Sequence, residues 1–180
     1  NKCKKRKLSL ITAIAASFLI VAIFSYRMWD MDPQHSELFQ KYYKPYYNVI
    51  DDPQRDSSVP GDDGSAFQLY DKGEYDNAIV SLRNALMANP NNAEALLYLG
   101  LSYLAVNQPD SAALYLNKGS QQTSTFTDPA EWYLGLAYLR AGKNEMAKEV
   151  FTEISGKNSG YRNRAESILL KPVRVLRVPL

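Results

Sequence analysis

The chain has 180 residues, 46% of them hydrophobic and 12% aromatic, enough to build a packed core in one or two small domains. Six of its 21 basic residues and none of its 19 acidic ones fall in residues 1–29, so the remainder is mildly acidic and lacks the basic footprint of nucleic-acid binding. One cysteine, Cys3, and one histidine, His35, exclude an intramolecular disulfide, and they flank an apolar run that keeps them from sharing a metal ion.

Residues 1–7, with Lys2, Lys4, Lys5, Arg6 and Lys7, form a basic segment. Leu8 to Tyr26 (LSLITAIAASFLIVAIFSY) follows without a charge. As a helix this run spans roughly 28 Å at about 1.5 Å per residue, close to the roughly 30 Å hydrocarbon core of a bilayer. Tyr26 and Trp29 stand where an interfacial aromatic belt begins, so the transmembrane helix is expected over 8–29. A cleaved signal peptide is the competing reading, but its apolar region would be shorter and Ser25-Tyr26-Arg27 is a poor cleavage site. Cys3 precedes the apolar run, so it is not placed as a lipoprotein cysteine. The basic cluster orients the N-terminus to the cytoplasm and residues from about Asp30 to the far side.

Residues 30–64 form an aromatic juxtamembrane segment and linker. Phe39, Tyr42, Tyr43, Tyr46 and Tyr47 crowd together in LFQKYYKPYY. Two readings stand: the stretch folds over the first helical hairpin as an N-terminal cap, or it is a docking segment or membrane-surface belt. Residues 51–64 are rich in Pro, Gly, Ser and Asp, the composition of a linker or long loop.

From Ser65 the chain repeats itself. Ala66, Gly100 and Gly135 recur at intervals of 34 and 35, and so do Ala78, Ala112 and Ala147. Large side chains keep the same spacing at Leu69, Tyr103 and Tyr138, and at Leu82, Leu116 and Phe151. Small residues let two antiparallel helices approach, and the large ones fill the space beside them, with Gly100 and Ala112 expected face to face. Breaks fall at Gly73, at Asn107-Gln108-Pro109 and at Gly142 within the hairpins, and at Asn89-Pro90-Asn91-Asn92 between the first two. Asp128 and Pro129 read as the N-cap and first residue of a helix opening the third.

This pattern resembles the tetratricopeptide repeat (TPR) over about Ser65 to Ile154. The first unit matches best, through Gly73, Tyr75, Ala78, Ala85 and Pro90. Trp132 falls one position late, Gly119 and Ile154 stand where alanine is usual, and the second and third units lack the closing proline. The expected fold class is all-α: one transmembrane helix, then an α-solenoid of about three TPR hairpins plus a capping helix at about Tyr161–Lys171. The repeat domain covers 65–171, and 172–180 is an extended tail. The longer layout, with the membrane helix, the LFQKYYKPYYNVI segment and WYLGLAYLRAG in the repeats, is similar to bacterial single-pass envelope TPR proteins. Some of these carry an anti-sigma-like cytoplasmic segment.

The resemblance implies binding rather than catalysis. There is no nucleophile elbow, and Ser155-Gly156-Lys157-Asn158 lacks the rest of a phosphate loop. No enzyme activity, cofactor or metal is expected. The first helix of each hairpin should line a concave groove, with Phe67, Tyr70 and Asp71 from the first, Leu97, Tyr98 and Leu101 from the second, and Trp132, Tyr133, Leu136 and Arg140 from the third. These are mostly apolar or aromatic, which suits an amphipathic helix or extended segment of a protein partner rather than a C-terminal carboxylate. Filling of the groove by the chain's own aromatic segment is the alternative. Two functions are therefore expected: a membrane-anchored scaffold for protein–protein interaction on the extracytoplasmic, periplasmic side of an inner membrane, or a transmembrane signalling protein whose anti-sigma-like part precedes Asn1.

Overall fold

The computed structural model describes residues 33–46 and 65–170. The basic segment 1–7, the apolar run Leu8–Tyr26, the linker and the tail 172–180 lie outside the described residues, as does the side chain of His35. Among the described residues no helix is long and apolar enough to cross a membrane.

Those residues form helices α1 (Pro33–Tyr42), α2 (Ser65–Asp71), α3 (Tyr75–Ala88), α4 (Ala93–Ala105), α5 (Pro109–Ser120), α6 (Thr127–Arg140), α7 (Asn144–Gly156) and α8 (Arg162–Leu169), with no strand among them. From α2 onward each helix packs on the next one in sequence. The pairs α2–α3, α4–α5 and α6–α7 are three hairpins, and α8 closes the stack. The first helices α2, α4 and α6 also touch one another in order, so they share one inner face.

The hairpin turns are built alike. Gly73, Asn107 and Gly142 have φ of 78°, 58° and 72°. Each follows a helix end where a backbone N–H reaches five residues back: Glu74 N to Leu69 O at 2.9 Å, Gln108 N to Tyr103 O at 2.8 Å, and Lys143 N to Tyr138 O at 2.8 Å. This Schellman geometry needs a left-handed residue, which glycine supplies freely and asparagine tolerates. Starts are sealed too. The Asn92 side chain accepts from Ala95 N at 2.9 Å, and Pro109 opens α5, where a missing N–H costs nothing.

The opening of α6 differs from the expected one. The helix begins at Thr127 and its N-cap is Phe126, not Asp128. Phe126 already has helical backbone angles (φ −91°, ψ −4°). The Thr127 hydroxyl donates to the Gln122 carbonyl and accepts from Ser124 N, which ties the preceding loop down. Asp128 is thereby drawn into the first turn, where its charge complements the helix N-terminus.

The core sits between the paired helices. A Cβ built on Gly100 would lie 2.8 Å from Leu116 Cδ2 and closer still to its Cγ. On Gly135 it would lie 2.6 and 2.7 Å from the Phe151 ring. The side chain nearest Gly100 is thus Leu116, four residues beyond Ala112. The long side chain one turn further along the partner helix points into the space that the glycine leaves. Leu82, Leu116 and Phe151, at equivalent positions, are all buried. α8 buries Ala165 and Ile168 and leaves Arg162, Arg164 and Glu166 in solvent, the outer face a solenoid end needs.

Gly119 is a different case, since an added Cβ there would meet Leu96 and Ala130 at 3.4 and 3.5 Å, ordinary contact. Gly119→Ala should therefore hold or raise stability, by up to about 0.5–1 kcal/mol from helix propensity. Gly100→Ala should lower it by about 1–3 kcal/mol through overpacking. Denaturant midpoints of the two variants against the parent check this, and a tolerated Gly100→Ala would break the register.

Candidate partner-binding groove

The inner face is unusual in having no polar side. In α4, all ten residues from Ala95 to Leu104 are buried, and α6 buries nine of its 14. A helix that is apolar all round must be covered all round. α3, α5, α7 and the neighbouring first helices cover most of that surface. The rest is covered by the chain itself, through the end of α1 and the extended residues that follow it.

Four aromatic side chains of this connector enter the groove. Tyr42 meets the Trp132 ring edge-on at 6.4 Å, and Tyr43 meets Tyr133 at 6.1 Å. Tyr46 contacts both Tyr98 and Tyr133 at 6.1 Å, bridging α4 and α6. Phe39 stacks on Tyr43 at 4.7 Å and lies under the Arg140 guanidinium, 5.0 Å from the ring centre. The Tyr133 hydroxyl donates to the Lys44 carbonyl at 2.5 Å, so the groove also grips backbone. Edge-to-face ring pairs are each worth about 0.5–1.5 kcal/mol beyond their buried area. Ordering each residue of the segment costs about 1–2 kcal/mol, so docking rests on a small difference.

The groove residues fall into two groups. Tyr98, Trp132, Tyr133 and Arg140 meet the connector directly. Phe67 and Tyr70 pack on Tyr98 at 5.0 and 5.1 Å and line the groove beyond it. Leu97, Leu101 and Leu136 are fully buried in the core between helices, and Asp71 is exposed. Trp132 is enclosed further by Tyr161, stacked at 5.4 Å, and by Phe151. The connector runs along the inner helices of the second and third hairpins, and Tyr43 also lies near Tyr70 and Tyr75 of the first. The missing polar face of AEALLYLGLSYLA is a sequence signal that points to a covered groove.

The Tyr70 hydroxyl is buried, with no hydrogen-bond partner among the described residues. Burial pushes the Tyr70 and Tyr133 phenols far above their usual range, with the surrounding tyrosines adding to the shift. Burial, with nearby Tyr75 second, pushes Tyr43 up to about 12. The folded chain therefore keeps protons that the unfolded chain loses near pH 10. The stability this carries is complete below about pH 10 and is lost as pH rises through the folded values. At the far end, Lys157 bridges Glu131 and Glu153 at 2.7 and 2.8 Å. Among the described residues no group of His, Cys, Asp and Glu could hold a metal ion.

Two outcomes are expected at the groove. Tyr133→Phe, which keeps the ring and deletes the donor to Lys44, should cost about 0.5–1.5 kcal/mol in a denaturation midpoint. In an absorbance titration the Tyr43 phenol should ionise near pH 12, and Tyr43→Phe should remove that step. A titration curve that Tyr43→Phe leaves unchanged near pH 12 would mean that the connector is not docked.

Comparison with known proteins places this geometry. Residues 68–107 match the family model described as TPR repeat, which covers most of the first hairpin and the inner helix of the second. No curated protein and no solved structure matches the chain. Repeats of this family mediate protein–protein interaction, and the matched turn and packing geometry recurs in α6–α7 beyond the matched residues. Residues 68–107 therefore carry a tetratricopeptide repeat.

Proposed function

We propose that the chain is a membrane-anchored scaffold that gathers protein partners on the extracytoplasmic side of a bacterial membrane. The observation that carries this reading is the inner face of α4 and α6, which takes hold of a peptide segment by ring contacts and by a hydroxyl-to-carbonyl bond. A surface of this kind recognises polypeptide and offers no nucleophile, base or cofactor cradle. The anchor in this reading is the uncharged run Leu8–Tyr26. The basic residues before it direct the repeats to the far side of the membrane.

The expected outcome is that alkaline carbonate leaves the chain in the membrane pellet and only detergent extracts it. Protease added to cells with a permeabilised outer layer should cut between 51 and 64, and crosslinking from intact membranes should recover a partner. A mature N-terminus near Ser25, or release by carbonate, would overturn the anchored reading.

A further inference from the structure

We infer that the connector Leu38–Tyr46 is an exchangeable resident of the inner groove, a ligand in cis that a partner must displace. This rests on the protein-binding reading above and adds the chemistry of the partner. The displacing segment presents aromatic side chains where a helix runs out into extended chain, and it offers a backbone carbonyl to Tyr133.

Four observations support exchange over permanent packing. The contacts that seat the connector in the groove include rings against rings, Arg140 over Phe39 and a hydroxyl on a carbonyl. Apart from the buried Phe39 it is shallow: Tyr42, Tyr43 and Tyr46 are only half-buried and Lys44 and Pro45 are exposed, whereas the groove rings beneath them are between 1% and 4% exposed. Its hold on backbone is tolerant of sequence, because a carbonyl is common to every residue. Among the described residues it also leaves the buried Tyr70 hydroxyl without an acceptor, so a segment that supplies one has an advantage over the connector.

The connector wins by attachment. Residues 47–64 join it to α2, so it competes at an effective concentration on the order of 1 mM. A free peptide of the same sequence, binding an empty groove at about 10 µM, would be weakened roughly hundredfold by that occupant. The groove is thus closed to weak or dilute segments and opened by a better-matched one.

The test uses the full chain in detergent and a fluorescent peptide of its own residues 36–47. Phe39→Ser, Tyr43→Ser and Tyr46→Ser together should empty the groove. The variant should bind the peptide saturably, roughly hundredfold tighter than the parent. A folded variant that binds no better than the parent would overturn the inference. Should the variant fail to fold, a site-specific protease sequence placed within residues 51–58 of the otherwise unchanged chain serves instead. After cutting, excess peptide should displace the connector from the repeats, and a connector retained against excess peptide would overturn exchange. Failure here leaves the scaffold reading standing, because partner recovery from membranes tests that separately. Peptide exchange without any recovered partner would sink the scaffold and keep the exchangeable connector.

Discussion

In the second and third hairpins two helices pair so closely that one of them gives up its side chain. At Gly100 and Gly135 the facing Leu116 and Phe151 occupy the volume in which a Cβ would stand. The helices of a pair then share one continuous core instead of meeting at a seam of methyl groups. The rest of the fold follows from that spacing. The large side chain reaches past the first helix, neighbouring hairpins stack at a repeating distance, and the first helices come into mutual contact along the inner face.

That inner face creates a requirement of its own. α4 and α6 gain so many neighbours that an apolar sequence is tolerated all the way round, yet the stack leaves one strip open. An exposed strip of leucine and aromatic rings would be an association hazard. The connector resolves it with side chains of intermediate polarity. A tyrosine can bury the body of its ring against the groove and keep its hydroxyl near water or a partner, which explains why the segment is rich in tyrosine rather than phenylalanine. Only Phe39, under the Arg140 guanidinium, needs no such handle.

Much of the repeat architecture was legible from the chain because it is encoded locally and three times over. Small residues, large residues and turn formers each keep one period, and a left-handed residue at 73, 107 and 142 follows from the turn alone. Details that depend on a single side chain were less legible. Thr127 moves the start of α6 by bonding to a loop carbonyl that no spacing rule predicts. Leu116 comes nearest to Gly100, because a side chain reaches about a turn along the helix from its own Cα. The route of the connector was least legible. Its aromatics announce packing, but their partners lie on Tyr98, Trp132 and Tyr133, far away in sequence, and no periodicity links the two sets. The apolar-all-round character of α4 and α6 did imply a covering element.

Tyr46 lies against both α4 and α6, like a chock set in the joint between the second and third hairpins. Polar ties link the turns of the same two hairpins: Arg140 to Asn107 at 3.0 Å and Lys143 to Asp110 at 2.8 Å. A stack of hairpins bends by changing the angle at such joints. A ring wedged on the inner side resists closing, while the ties resist splaying. Whatever fills the groove therefore also sets the stiffness of that joint, and replacing one occupant with another changes how the stack flexes under load.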